Sequence, residues 1–255
     1  MKARKRFGQN FLQDAGLIGK IVDAISPTEN ENVVEIGPGR GAITRLLYTA
    51  CPTLKVIEID RDLAHQLRFL YPDLNVIELD VLKQDFRELG TQMRVVGNLP
   101  YNISTPILFK LFEQLDLIRD MFFMLQLEVV QRLAAEPGSS NYGRLSVMSQ
   151  YYCDSELLFQ VPPEAFTPRP KVTSAIVKLV PKTTQIVAQD EVLFSQMVNQ
   201  AFSMRRKTLR NALKGFVQSP ESFESLEIDP KRRPETVTLT EFVQLADAAA
   251  RERIS

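Results

Sequence analysis

The residues NVVEIGPGRG at Asn32–Gly41 are the strongest indication of the fold that we predict for this chain. Its first half is short, apolar and rich in β-branched residues, as is typical of a buried strand. Its second half places glycine at alternate positions, and glycine permits a tight turn and a close approach of a ligand to the main chain. The periodic segment Ala42–Tyr48 follows and predicts a helix. We therefore predict a strand, a glycine-rich turn and a helix, with a ligand at the turn.

Further apolar segments of the same type alternate with segments of helical periodicity. The predicted strands are Lys55–Ile59, Asn75–Leu79, Met93–Val96, Met121–Leu125 and Ser174–Val180. The predicted helices are Asp62–Leu70, Thr105–Gln114, Glu128–Ala135 and Tyr142–Gln150. This alternation predicts an α/β fold with a Rossmann-like, mostly parallel sheet and helices on both faces. In such sheets ligands bind beyond the carboxyl ends of the strands.

A second, smaller domain is expected after the sheet. The proline-rich run Val161–Val172 is incompatible with a regular helix or a central strand. Beyond Pro181–Thr184 the pattern becomes helical, at Glu191–Phe202, Arg205–Phe216, Pro220–Leu226 and Thr240–Ala250. We expect a large domain at residues 1–181 and a small C-terminal helical domain at residues 182–255.

The composition excludes several classes of protein. Apolar residues make up 44% and charged residues 24% of the 255 residues, as in soluble globular proteins. The basic N-terminus lacks the apolar core of a signal peptide, so a cytoplasmic protein is the default expectation. The sequence leaves the oligomeric state open, and a monomer is the default. Cys51, Cys153 and the single histidine, His65, have no metal-ligand spacing. We expect no metal, no disulfide framework and no chemistry based on a histidine or a thiol.

Acidic residues stand where the first three predicted strands end. Glu35 precedes a G-x-G-x-G pattern, which differs from the G-x-G-x-x-G of dinucleotide sites and is typical of S-adenosylmethionine methyltransferases. Glu58 and Asp60 follow about 20 residues later, where an acid binds ribose hydroxyls, although Asp60 is also a candidate cap of the next helix. Asp80 is a candidate acceptor for an adenine amine, or a turn cap. Together these positions predict a nucleoside ligand.

The fourth predicted strand runs into GNLPYN at Gly97–Asn102, which suits methyl transfer to the exocyclic amine of adenine. The lone pair of that amine is delocalised into the ring, and the Asn98 oxygen with the carbonyl of Leu99 or Pro100 can accept both N–H bonds and localise it. Pro100 fixes the backbone. Tyr101 offers a face for a flipped base, worth about 1–3 kcal/mol. Such catalysis depends on positioning and electrostatics.

Two segments without acids are basic, although the net charge of the chain is +0. The first contains Lys2, Arg4, Lys5 and Arg6, and the second contains Arg205, Arg206, Lys207, Arg210 and Lys214. Each is either a solvated face or a local phosphate-binding surface, and the charge pattern alone leaves both open.

Over essentially its whole length the chain resembles the bacterial ribosomal RNA small-subunit adenine dimethyltransferases, the kasugamycin-sensitivity family. The matching stretches are RKRFGQNFL at Arg4–Leu12, EIGPGRG at Glu35–Gly41, IEID at Ile57–Asp60, GNLPYNISTPI at Gly97–Ile107, YGRLSVMSQYYC at Tyr142–Cys153, PPEAFTPRPKVTSA at Pro162–Ala175 and AFSMRRKTLRN at Ala201–Asn211. Together these stretches are highly specific.

The resemblance implies a class I S-adenosylmethionine methyltransferase sheet and a set of site residues. The cofactor contacts fall on Asn10, Leu12, Gly37, Glu58, Asp80 and Asn98, which selects Glu58 over Asp60. Phe166 is expected to stack the target base opposite Tyr101, with an apolar plug as the alternative. The helix with Arg205, Arg206 and Lys207 is expected to lie against RNA phosphates.

The implied function is dimethylation of the N6 amines of two adjacent adenosines in a hairpin near the 3′ end of 16S ribosomal RNA. S-adenosyl-L-methionine is the implied donor, and the small ribosomal subunit or its precursor is the implied partner during subunit biogenesis. Three alternatives stay open. They are a large-subunit rRNA adenine methyltransferase, a DNA adenine methyltransferase, which typically carries D-P-P-Y, and a non-catalytic assembly or transcription factor with the same fold.

Overall fold

The computed structural model describes residues 10–183, 186–217 and 219–254. The basic residues Lys2, Arg4, Lys5 and Arg6, and the part of the RKRFGQNFL stretch before Asn10, lie outside these ranges. The chain divides into two compact units. The first comprises the described residues of Met1–Val130 together with Ser155–Pro181, and the second comprises those of Gln131–Asp154 together with Lys182–Ser255.

A seven-stranded sheet forms the centre of the first unit. Its strands are β2 (Val33–Ile36), β3 (Lys55–Ile57), β4 (Asn75–Ile77), β5 (Met93–Asn98), β6 (Ile118–Gln126), β7 (Cys153–Val161) and β9 (Ser174–Pro181). Their order across the sheet is β4-β3-β2-β5-β6-β9-β7. Strands β2 to β6 pair in parallel, and β9 is antiparallel to β6. The predicted mostly parallel α/β sheet is therefore confirmed, with small differences at the strand ends.

Three strands were not predicted from the sequence. The strand β7 lies at one edge of the sheet and mixes buried and exposed side chains without a regular alternation. The two-residue strands β1 (Phe11–Leu12) and β8 (Phe166–Thr167) pair only with each other, as an antiparallel ribbon. These strands depend on pairing between distant segments, which leaves little local signal.

The helices are α1 (Ala15–Ile25), α2 (Thr44–Ala50), α3 (Arg61–Leu70), α4 (Ser104–Phe112), α5 (Leu127–Leu133), α6 (Arg144–Tyr152), α7 (Glu191–Ser203), α8 (Leu209–Ala212), α9 (Pro220–Ser225) and α10 (Leu239–Ile254). Helix α1 was not predicted. It begins after Asp14, whose carboxylate accepts the N–H of Leu17 at 2.9 Å, and it buries Ile18, Ile21 and Ile25. Within the described ranges, no helix is long and apolar enough to cross a membrane.

The sequence assigned Gln131–Asp154 to the large domain, whereas the structure groups these residues with the second unit. Helix α6 packs against α7 and α10. The Tyr142 hydroxyl donates to the carbonyl of Val237 at 2.7 Å, and its ring lies 5.9 Å from that of Phe202. A segment that precedes the last strands thus takes its packing partners from much later in the chain, which periodicity cannot reveal.

The predicted helix Arg205–Phe216 is wrong at both ends. Residues Arg205–Lys207 form a turn after α7, and only Leu209–Ala212 is helical. The N–H of Leu209 donates to the carbonyl of Arg232 at 2.7 Å, and that of Arg210 donates to the carbonyl of Pro230 at 3.1 Å. These donors bond to another loop instead of to the preceding turn, so a continuous helix cannot form.

The position of the ligand site follows from the topology of the sheet. The chain runs outward from β2 to β3 and β4, and then returns to place β5 on the other side of β2. This reversal leaves a crevice beyond the carboxyl ends of β2 and β5. Gly97 on β5 lies opposite Ile36 on β2, and a Cβ atom at Gly97 would lie 2.4 Å from the Ile36 carbonyl oxygen. Glycine therefore allows the two strand ends, and the residues that follow them, to meet.

Candidate active site

One cleft lies beyond the carboxyl ends of β2, β3, β4 and β5 in the first unit. Its lining includes all six residues that the resemblance implies as cofactor contacts, namely Asn10, Leu12, Gly37, Glu58, Asp80 and Asn98. Leu99, Pro100 and Tyr101 line the same cleft. The strand ends thus bring the nucleoside-binding candidates and the GNLPYN motif to one place, as the parallel topology requires.

The glycine turn forms the floor of this cleft. Gly37, Gly39 and Gly41 have φ angles of 67°, 60° and 81°, in the left-handed region that side chains with a Cβ rarely adopt. The Phe11 ring packs on Gly39, where an added Cβ would lie 3.3 Å from it. The guanidinium of Arg40 lies 4.3 Å from the centre of the same ring. Strand β1 is therefore held directly over the turn.

Glu58 and Asp60 have different positions at the end of β3. One Glu58 carboxylate oxygen accepts the N–H of Gly39 at 3.0 Å, and the other accepts the N–H of Asp60 at 2.8 Å. Burial raises the pKa of Glu58, although these N–H groups oppose the shift. Asp60 does not line the cleft, and its carboxylate caps α3 by accepting the N–H of Asp62 at 3.1 Å. Of these two acids, Glu58 is therefore the one that lines the cleft.

Asp80 caps a turn and also lines the cleft. Its carboxylate accepts the N–H of Leu82 at 3.0 Å and so caps the short turn Val81–Lys83. Asp80 also lines the cleft. A carboxylate has about four acceptor positions, so the cap does not prevent it from accepting a ligand amine.

Glu35 lines the cleft. The sequence predicted it only as the acid before the glycine turn and assigned it no contact of its own. Glu35 is 2% exposed, and among the described residues its Oε2 atom has no hydrogen-bond partner. Burial raises the pKa of Glu35 to about 7, the Thr44 hydroxyl partly opposes the shift, and the Glu58 carboxylate adds to it. In the sequence, Glu35 is an acid inside the otherwise apolar strand VVEI, whose residues are all buried. That pattern predicts a buried carboxylate, but only the fold shows that Glu35 lies at the cleft.

The amide of Asn98 is oriented by the N-terminal segment. Its Nδ2 atom donates to the Asn10 carbonyl oxygen at 3.1 Å. This leaves the amide oxygen as the acceptor for a ligand. In the same motif, the Leu99 N–H donates to the Met124 carbonyl at 3.2 Å, and the Ile103 N–H donates to the Pro100 carbonyl at 3.1 Å. The Pro100 carbonyl therefore already has one partner, which favours Leu99 as the second acceptor for an amine.

Phe166, which the resemblance places opposite Tyr101 on the target base, lies away from the cleft in this structure. It is 3% exposed, belongs to a hydrophobic cluster with Leu12, Val161 and Ala165, and does not line the cleft. The β1–β8 ribbon pairs Phe166 with Leu12, which directs its ring into that cluster. In this structure Phe166 is the apolar plug, and stacking on a base would require its ring to leave the cluster.

The donor set of the cleft fits S-adenosylmethionine. The Glu58 carboxylate suits two ribose hydroxyls, and Asp80 suits the adenine amine. The unpartnered oxygen of Glu35 suits a cationic group, because a buried carboxylate is stabilised by a nearby positive charge. Ile59 and Leu79 line the cleft while remaining 46% and 36% exposed, which provides apolar surface for a purine ring. In the part of the chain that the structure describes, no group of three or more His, Cys, Asp or Glu residues is arranged to hold a metal ion.

Comparisons with known proteins agree with this geometry. The family model described as "Ribosomal RNA adenine dimethylase" matches residues 1–251. The chain is 55% identical over 253 residues to the ribosomal RNA small subunit methyltransferase A of Acinetobacter baylyi, covering 96% of this chain and 92% of that relative.

Two solved structures have a similar fold over nearly the whole chain. A dimethyladenosine transferase from Plasmodium falciparum has a TM-score of 0.76 and 27% identity, covering 92% of this chain and 95% of that chain. The 23S rRNA methyltransferase ErmE has a TM-score of 0.71 and 24% identity, covering 94% of this chain and 100% of that chain, which is a likeness of fold alone. The chain therefore belongs to the ribosomal RNA adenine dimethylase family.

Proposed function

We propose that this enzyme dimethylates the N6 amines of two adjacent adenosines in a hairpin near the 3′ end of 16S ribosomal RNA, with S-adenosyl-L-methionine as the methyl donor. One observation carries the proposal. The amide of Asn98 lines the same cleft as the glycine turn, Glu58 and Asp80, so an acceptor for an amine lies beside a nucleoside site. We further propose that the enzyme acts in the cytoplasm as a monomer, on the small subunit or its precursor.

The chemistry requires the target amine to be activated and aimed. When bound, S-adenosylmethionine supplies an electrophilic methyl group. The Asn98 oxygen accepts one N–H of the adenine amine, and the Leu99 carbonyl accepts the other. These two hydrogen bonds draw the lone pair of the N6 nitrogen out of conjugation with the adenine ring and direct it toward the methyl group. The acceptors are held before substrate arrives, because Asn98 is fixed by the Asn10 carbonyl and Leu99 by the Met124 carbonyl.

The alternatives are less well supported. The relative that is 55% identical is named a small subunit methyltransferase, whereas ErmE, named for 23S rRNA, has 24% identity. Asn98 stands where DNA adenine methyltransferases typically carry an acid. A purely non-catalytic role does not explain why Asn98, Glu58 and Asp80 all line one cleft.

We also propose that a basic turn in the second unit contacts RNA phosphates. Arg205, Arg206 and Lys207 are exposed in this turn, and the neighbouring Arg210 is exposed at α8. The Arg205 guanidinium lies 3.5 Å from the Glu235 carboxylate. This negative charge partly neutralises the positive potential that Arg205 adds to the turn. The backbone bonds from residues 209 and 210 to the loop at residues 230–232 bring a second basic segment, with exposed Lys231 and Arg233, beside the turn.

Charge reversal in this turn is expected to weaken RNA binding and to flatten its salt dependence. The slope of log K against log salt is negative, and each lost phosphate contact reduces its magnitude by about 0.7–0.9. The triple change of Arg205, Arg206 and Lys207 to Glu is therefore expected to reduce that magnitude by about 2–3. Binding to small-subunit particles is measured across a salt series.

A matched pair of single variants controls for net charge. Arg206→Glu and Arg45→Glu change the net charge equally, and both residues are exposed, the second on α2 in the first unit. Only Arg206→Glu is expected to reduce the magnitude of the salt slope. An unchanged salt slope in the triple variant would show that this turn does not contact RNA phosphates.

The central test is transfer of labelled methyl from S-adenosylmethionine to small-subunit particles from cells that lack the modification, followed by nucleoside analysis. Label in dimethyladenosine of the 16S RNA is expected. Large-subunit particles serve as the control substrate, and label there instead would support the large-subunit alternative. Tight particle binding without label would support the non-catalytic alternative.

A further inference from the structure

The hydroxyl oxygens of Tyr101 and Ser174 lie 2.7 Å apart, at hydrogen-bonding distance. Tyr101 lines the cleft, whereas Ser174 is fully buried and does not. The two residues are separated by 73 positions in the chain. One end of the Tyr101 side chain is therefore anchored in the interior, and the rest of it reaches the wall of the cleft.

Ser174 is itself held by the central sheet. It begins β9 and lies opposite Gln126 on β6. The Leu127 N–H donates to the Thr173 carbonyl at 2.9 Å, immediately before Ser174. The same strand β6 also supplies the Met124 carbonyl that accepts the Leu99 N–H at 3.2 Å. The pair of strands β6 and β9 thus holds both the backbone of the GNLPYN motif and the ring of its tyrosine.

We propose that Ser174 is a positioning residue for methyl transfer, which fixes the Tyr101 ring and so the plane in which the target adenine lies against Asn98. This inference rests on the proposed placement of the target base on Tyr101. A hydrogen bond at the far end of a tyrosine side chain restricts rotation about both of its side-chain torsions. Without it, the ring has several orientations, and a base stacked on it is displaced from the acceptors on Asn98 and Leu99.

The half-buried phenol strengthens this argument. Burial raises the pKa of Tyr101, and the Ser174 hydroxyl partly opposes the shift, as expected for a polar group that depends on one buried partner. Without the Ser174 hydroxyl, the Tyr101 hydroxyl is expected to turn toward another hydrogen-bond partner, because a buried unpaired hydroxyl is costly. The expected response is a change of ring orientation, and not only a loss of stability.

The first test compares Ser174→Ala with Ser149→Ala in methyl transfer to small-subunit particles. Both serines are fully buried, but the Ser149 hydroxyl has no hydrogen-bond partner among the described residues. Ser174→Ala is expected to lower kcat about tenfold, with the Kd of S-adenosylmethionine, measured by calorimetry, changed less than about twofold. Ser149→Ala is expected to leave kcat unchanged. An unchanged kcat in Ser174→Ala, with the wild-type protein active, overturns the inference and leaves the proposed function intact.

A double-mutant cycle with Tyr101→Phe separates positioning from general packing. If Ser174 acts through the Tyr101 hydroxyl, Ser174→Ala is expected to cause no further loss of kcat in the Tyr101→Phe background. A second tenfold loss in that background overturns the inference. If Ser174→Ala does not fold, Tyr101→Phe alone is decisive, because it removes the same bond and is expected to lower kcat about tenfold. An inactive wild-type protein would instead overturn the proposed function.

Discussion

Replacement of Asn98 by alanine is expected to lower kcat for methyl transfer by about 100- to 1000-fold, the range found when one preorganised hydrogen-bonding group is removed from an active site. The amide oxygen is the acceptor that localises the lone pair of the adenine amine. Alanine removes this acceptor, whereas the proposed RNA contacts in the second unit are unchanged. Particle binding is therefore expected to stay close to that of the wild-type protein. Single-turnover methyl transfer and particle binding are the two measurements.

Asn102→Ala is the matched control, because this asparagine ends the same motif, is exposed and does not line the cleft. Its kcat is expected to remain within about twofold of the wild-type value. Asn98→Asp keeps an acceptor but loses the N–H that bonds to the Asn10 carbonyl, so an intermediate activity is expected. The Kd of S-adenosylmethionine is measured for each variant, because loss of the Asn10 contact can loosen β1. Near-normal turnover in Asn98→Ala would contradict the assigned role.

Replacement of Glu35 by glutamine is expected to stabilise the protein above about pH 7 by about 3 kcal/mol, and to have little effect near pH 4. The pKa of Glu35 is raised from 4.5 to about 7 in the folded protein, mainly by burial. Below pH 4.5 the carboxyl is protonated in both the folded and the unfolded states. Between these two values the unfolded chain releases the proton more readily, so the stability of the wild-type protein falls as the pH rises. Above about pH 7 the loss is complete, and glutamine avoids it.

The measurement is the free energy of urea unfolding at several values between pH 4 and pH 8, for the wild-type protein and the variant. The pKa of Glu58 is raised in the same direction, and the Glu35 and Glu58 carboxylates interact, so the difference between the two proteins reports Glu35 together with its effect on Glu58. Glu31→Gln is the control of opposite sign. Burial raises the pKa of Glu31, but its bonds, including those to Arg94 and Arg119, outweigh this and lower it. That variant is expected to be less stable than the wild-type protein at pH 8. A Glu35→Gln difference that does not grow with pH would show that Glu35 is not a buried, titrating group.

Some parts of the candidate site could be predicted from local sequence, and others could not. The glycine turn and the acids at the strand ends lie at one cleft, because strand ends in a parallel sheet meet at one edge. The choice between Glu58 and Asp60 was not available from periodicity. It depends on which carboxylate reaches back to Gly39 and which one caps α3. The basic turn at Arg205–Lys207 has the exposure that was expected, but not the helix, because a distant loop takes its backbone bonds.

Contiguous residues were enough to predict the alternation of strands and helices, the glycine turn, the GNLPYN motif and the family. The folded chain was needed to show that Phe166 packs in a hydrophobic cluster, that Gln131–Asp154 joins the second unit and that Ser174 is hydrogen-bonded to Tyr101. It was also needed to show that Glu35 is buried at the cleft, where burial raises its pKa. Burial and long-range hydrogen bonds depend on which distant segments meet, and that is a property of the folded chain as a whole.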